Sequence, residues 1–130
     1  MLYFKYLTFI LIGVFMFSCN GNNTTSPKIE KELSIENILD TIWTIKEVNE
    51  RNDYVKKQSK NKRELMVYIN GTPDELKEDY YWIKVAEDNG NAYFTHFDFF
   101  VYPNWDIKFY DRVKDKELSL EDWRIELEKE

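Results

Sequence analysis

The sequence predicts an α+β domain in which N-terminal helices pack on a four-stranded antiparallel meander and a short helix closes the C-terminus. Three observations carry that expectation. Apolar residues recur at helical spacing between Leu33 and about Lys57; from Glu64 the period drops to two, with turn residues marking off four runs; and a helix-start signal returns after Ser119. A period that changes from 3.6 to 2 is the sequence trace of a chain passing from helix to strand.

The first helix starts at Ser34, whose hydroxyl can accept from an amide of the first turn, with Leu33 and Ile38 placed to clasp across it. Ile35, Ile38, Leu39, Ile42 and Trp43 then share one face. Thr44 with Glu47 three residues on has the form of a capping box, which predicts a break and a second helix to about Lys57. Its apolar face is thin, consisting of Ile45, Val48 and Val55. The polar run Gln58–Arg63 ends the helical region.

Strands are expected at Glu64–Asn70, Tyr80–Glu87, Asn91–Tyr102 and Trp105 to about Val113. An acidic loop, Gly71–Asp79, separates the first two, Asn89-Gly90 predicts a type I′ hairpin, and Pro103-Asn104 makes the last turn. Connections this short join neighbouring strands antiparallel. Ser119 is the expected N-cap of the final helix, with Leu118 and Trp123 clasping over it and Glu121 and Asp122 in the first turn, where the helix dipole favours acids.

The residues before the domain differ in character. Lys5 is followed by an uncharged apolar run, Tyr6–Phe17, which has the layout of a secretory signal and is too short for the roughly 20 residues of a bilayer-spanning helix. It stops at Ser18-Cys19 and gives way to Asn20-Gly21-Asn22-Asn23-Thr24-Thr25-Ser26-Pro27, a polar tether. The tetrapeptide Met16-Phe17-Ser18-Cys19 resembles a bacterial lipobox. The resemblance implies a signal peptide over residues 1–18 and more than one acyl chain on Cys19; composition then gives the lipidated cysteine a tether over 19–27, and the length of the remainder, 28–130, is that of one small domain. Two or more chains anchor stably where one is marginal. The expected address is the cell envelope, on the outer or cytoplasmic membrane, with the domain outside the cytoplasm. Cys19 is the single cysteine, so the domain itself can hold neither a disulfide nor a thiolate metal site.

With 18 Lys and Arg against 24 Asp and Glu, the formal charge of −6 disfavours nucleic acid as a partner. Alternation divides the sheet into two apolar faces. Leu65, Val67, Ile69, Tyr81, Ile83, Val85, Tyr93, Phe97, Phe99, Val101, Ile107 and Phe109 suit packing beneath the helices. The other face is expected to carry Tyr68, Trp82, Phe94, Phe100, Tyr102 and Tyr110, mixed with Lys84, His96, Asp98 and Lys108. Aromatics with polar tips dominate binding hot spots, which makes this second set the candidate binding surface. Cover by the acidic loop or the C-terminal helix is the competing reading of the same residues.

The one histidine, His96, has Asp98 two residues on, which by alternation shares its face and could orient the imidazole. No serine elbow or phosphate-cradling loop accompanies them, so no catalytic residue is assigned. Asp74, Glu75, Glu78 and Asp79 lack the alternate spacing and central glycine of a calcium loop, and neither a metal nor a cofactor is expected.

Tyr80-Tyr81-Trp82-Ile83-Lys84-Val85, the Asn89-Gly90 turn, Phe99-Phe100-Val101-Tyr102-Pro103 and Ile107-Lys108-Phe109-Tyr110-Asp111 together resemble small envelope domains of the PepSY-like or cystatin-like sort. That resemblance implies a helix-and-meander fold and brings no functional residue with it. The functional expectation is a lipid-anchored, non-enzymatic domain that binds an envelope protein or peptide, with an inhibitor or immunity protein as its narrower form. The alternative is a structural lipoprotein that oligomerises or docks through the aromatic face.

Overall fold

The structure, a computed structural model, describes residues 33–129. The expected signal segment, the lipobox-like cysteine and the tether lie outside the described residues. Two helices, α1 (Ile35–Trp43) and α2 (Lys46–Gln58), lead into a five-stranded antiparallel meander. Strands β1 (Leu65–Gly71), β2 (Tyr81–Asp88), β3 (Tyr93–Val101), β4 (Ile107–Asp111) and β5 (Lys116–Ser119) lie side by side in chain order. A single helical turn, α3 (Pro73–Leu76), stands between β1 and β2, and α4 (Leu120–Leu127) ends the fold.

The fifth strand corrects the expected four. The Asp111 carboxylate accepts from the amides of Val113 and Lys114 at 2.9 and 3.0 Å, which turns the chain, and Asp115 enters the left-handed region at φ 50°. Lys116–Ser119 then returns along β4 with Leu118 opposite Phe109. Charge around the turn hid a strand of four residues.

Ser34 and Ser119 cap their helices as expected, accepting from Asn37 at 3.2 Å and Asp122 at 3.0 Å. Thr44 does not: its hydroxyl donates back to the Thr41 carbonyl at 2.7 Å, and α2 starts from Ile45 without a side-chain cap. Asn49 closes the joint instead by donating to the Trp43 carbonyl. The capping box lies in the acidic loop, where Glu75 reaches back to the Thr72 amide at 2.9 Å and makes Pro73–Leu76 helical. Asn89-Gly90 is no two-residue turn either. Gly90 takes φ 88°, but the Asn89 side chain accepts from both Asn91 and Ala92 at 3.0 Å, so four residues separate β2 from β3.

One irregularity reorganises the far end of β3. Val85 pairs with Phe97 while Ala86 pairs with Thr95, so His96 is an extra residue, a β-bulge. One inserted residue reverses every assignment beyond it. Phe94 thereby pairs with Glu87 on the helix face, and Tyr93 pairs with Asp88 on the other, the reverse of what alternation predicts. Both are exposed, at 58 % and 63 %, because they stand where the sheet outruns its cover.

All three longer helices pack on one face. Ile38 and Ile42 of α1, Ile45 at the joint, and Val48 and Val55 of α2 join Leu65, Ile83, Val85, Phe99, Val101, Leu118 and Trp123 in one core; Ile35, expected there, is half exposed. Trp123 fixes α4: its ring stacks on Phe109 at 4.4 Å and meets Phe97 and Phe99 edge-on at 5.5 and 5.8 Å. Arg124 grips Glu47 of α2 through two hydrogen bonds, 2.6 and 3.0 Å, and Lys114 and Lys116 hold Glu126, whose carboxyl is lowered to about 2 by those bonds. Phe99 is fully buried at the centre of these rings. Phe99→Ala should cost about 3–5 kcal/mol, the range for emptying a buried aromatic site, read as a lower urea midpoint; a loss near zero would mean the rings are not the core.

Candidate functional site

The face opposite the helices is built around Phe100. It pairs with Trp82 on one side and Lys108 on the other, at the middle of the sheet, and is only 6 % exposed although no helix among the described residues covers it. Other rings cover it instead. Tyr80 stacks on Phe100 at 4.2 Å with 21° between planes, and Tyr110 stacks at 4.9 Å and 23°. Trp82 meets Phe100 and Tyr110 edge-on at 6.0 and 6.4 Å, and Tyr102 meets Tyr80 at 5.5 Å. Offset stacking and edge-to-face contact are the geometries the ring quadrupoles favour. The result is a continuous platform, Tyr102-Tyr80-Phe100-Tyr110-Trp82.

Polar groups fix three of the rings, Trp82, Tyr102 and Tyr110. Asp98 lies beneath the platform, 2 % exposed, and accepts from the Trp82 indole at 2.8 Å while Arg112 Nε reaches its other oxygen at 2.8 Å. The Tyr102 hydroxyl donates to Glu117 at 2.8 Å and the Tyr110 hydroxyl to Asp115 at 2.6 Å. Burial, then the Glu117 carboxylate, pushes the Tyr102 phenol well above its ordinary value; the hydrogen bond to Asp115 does the same for Tyr110. Both phenols therefore stay protonated donors in neutral water. Lys84 Nζ sits 5.2 Å from the Trp82 ring centre, within cation–π reach. Between the rings and the β4–β5 turn lies an open depression of about 530 Å³, bounded by Tyr80, Trp82, Phe100, Tyr110, Asp115 and Glu117.

Of the six residues predicted for this surface, Trp82, Phe100, Tyr102 and Tyr110 come together in one ring cluster. Tyr68 stands beside Lys84 in the register, on the outer strand. Phe94 belongs elsewhere, turned to the helix face by the bulge, where its ring meets His96 at 5.0 Å. Tyr80 was missed. It shares the parity of Trp82, which could have found it, yet it stands before β2 at the end of the acidic loop rather than in the strand. Asp115 and Glu117 were missed with the fifth strand.

The bulge also separates His96 from Asp98. Asp98 faces the platform; His96 faces the helices, with Nε2 3.3 Å from Glu87 Oε2, and Arg63 holds the other Glu87 oxygen at 3.0 Å. No orienting contact between imidazole and Asp98 exists, and the carboxylate beside the ring is Glu87. Nε2 is buried and makes no hydrogen bond among the described residues. Among those residues no three His, Cys, Asp or Glu side chains converge on a metal-sized site, and no helix is long and apolar enough to cross a membrane.

No protein-family model, curated protein or solved structure gives a significant match to the chain. What bears on function is thus the geometry of this platform and the character of the sequence before it.

Burial lowers the His96 pKa, against the partial opposition of Glu87. A histidine whose folded pKa is depressed binds its proton more readily when unfolded, so its contribution is present above about pH 6.5 and lost as pH falls toward the lowered value. The urea midpoint should therefore fall between about pH 7 and pH 5.5, and His96→Gln should flatten that slope. An identical slope in the variant would show that the stability change comes from other groups.

Proposed function

We propose that the chain is a lipid-anchored lipoprotein of a bacterial envelope whose domain binds another protein, or a peptide, without catalysing a reaction. The observation that carries this reading is the aromatic platform on the face that the helices leave uncovered. A sheet that needed only to be folded could turn polar residues to water on that side. Here the centre is aromatic and is shielded only by further aromatics, whose hydroxyls and indole N–H are held by Asp98, Glu117 and Asp115. Rigid rings with few torsions lose little entropy when a partner closes over them. Acidic acceptors beside the rings add directional contacts for a partner's amides or cations.

The surface is tested by replacing Trp82 with Gln and Tyr110 with Ser in a chain that stays folded by circular dichroism. Retention of the envelope protein bound by the parent chain should fall at least thirtyfold, the effect of losing a hot spot of about 2 kcal/mol; undiminished retention would remove the platform from the binding reaction. The anchor is tested separately. Cys19→Ser should move the chain out of the membrane fraction and abolish labelling by a fatty-acid probe, and unchanged membrane association would refute lipidation at that residue.

A further inference from the structure

The two edges of the sheet are unlike. β5 is four residues long, carries Lys116 and Glu117, and runs directly into α4. β1 is seven residues, Leu65-Met66-Val67-Tyr68-Ile69-Asn70-Gly71, with no charge and no proline, and no described strand lies on its outer side. Natural edge strands are usually blunted by charge, proline, shortness or a bulge. Of these only a bulge is present, at Asn70 near the far end, and α2 covers the edge at its first residue alone. The Leu65 amide donates away from β2, to the Asn52 side chain of α2 at 2.9 Å. Since backbone groups alternate in direction along a strand, those of Val67 and Ile69 point outward too.

Charge flanks this edge asymmetrically. Before β1 come Lys56, Lys57, Lys60, Lys62 and Arg63; after it come Asp74, Glu75, Glu78 and Asp79, with Lys77 the one cation among them. Glu64 takes up Lys56 at 3.3 Å and Glu87 takes up Arg63, leaving Lys57, Lys60 and Lys62 exposed, and all four acids are exposed. A strand with a basic approach and an acidic exit is complementary to itself when turned antiparallel.

We propose that β1 pairs antiparallel with β1 of a second copy of this chain, merging two five-stranded sheets about a two-fold axis perpendicular to them. With Val67 opposite its own counterpart, Leu65 faces Ile69, whose outward amide is aimed at the Leu65 carbonyl while the Leu65 amide stays with Asn52, and the basic approach of each copy lies along the acidic exit of the other. The interface is isologous and closes at two copies, because pairing consumes the edge that made it. Both aromatic faces then look to the same side. The pairing does not depend on what those faces bind.

The test is sedimentation equilibrium of the full chain in mild non-ionic detergent. The parent should dimerise, more weakly as salt is raised. Lys60→Glu with Lys62→Glu cancels the positive charge of the approach, and Asp74→Lys with Glu78→Lys reverses the charge of the exit. Each double variant alone should dissociate about tenfold more readily, the sum of several exposed ion pairs, while an equimolar mixture of the two should form a heterodimer tighter than either homodimer, because one of the two complementary contacts is restored. A parent that stays monomeric at every concentration overturns the proposal. So does a dimer that ignores both charge reversals but is lost in the Trp82→Gln, Tyr110→Ser chain, for then the copies meet through the aromatic face.

Discussion

The pairing of β2 with β3 is the contact on which the rest of the structure depends. It is the central long ladder of the sheet, and it sets Phe99 and Phe100, neighbours in sequence, on opposite sides. Phe99 is sealed by Trp123, Phe97 and Phe109 under the helices, and Phe100 by Tyr80 and Tyr110 on the other side. The β2–β3 pair thus carries two aromatic layers back to back. The described domain is small and contains no cysteine, so dispersion and hydrophobic burial carry its stability without covalent help. A second aromatic layer is a physically economical way for such a chain to bury more surface than its few helices can cover.

Much of this was legible in the residues because it rests on local periodicity. The change of period at Glu64 placed the helices before the sheet, Ser34 and Ser119 marked two helix starts, and parity put Trp82, Phe100, Tyr102 and Tyr110 on one face. The failures have separate causes. Thr44-Ile45-Lys46-Glu47 has the letters of a capping box, but the Thr44 hydroxyl is spent on the carbonyl of Thr41 in the preceding helix. A bulge adds a residue without leaving a mark in composition, so parity beyond His96 was inverted for Phe94 and Tyr93, and the His96–Asp98 pairing failed with it. β5 was concealed because Lys116 and Glu117 read as solvated charge, whereas Leu118 is in the core and Glu117 holds a tyrosine.

Charged groups in this fold chiefly position other groups. Asp98 holds an indole and a guanidinium, Glu117 and Asp115 hold phenols, Glu47 and Glu126 hold α4, and Glu75 folds the acidic loop. That distribution explains how a chain with a third of its residues charged (32 %) still presents an aromatic surface. The carboxylates sit where they anchor rings and helix ends, and the lysines of the uncovered side, Lys84 and Lys108, stand beside the rings in the register.

Tyr80 has a consequence of its own. The ring that seals one side of Phe100 belongs to the segment between α3 and β2, reached through Lys77 in a left-handed conformation (φ 60°), and not to the hydrogen-bonded ladder. The cover is therefore contributed from outside the ladder, by the residue that immediately precedes β2. Its ring makes one stacking contact, with Phe100, and one edge contact, with Tyr102. Phe100 is thus closed on one side by a residue of a connecting segment and on the other by a residue of β4, so the conformation of the acidic loop reaches the centre of the platform through a single ring.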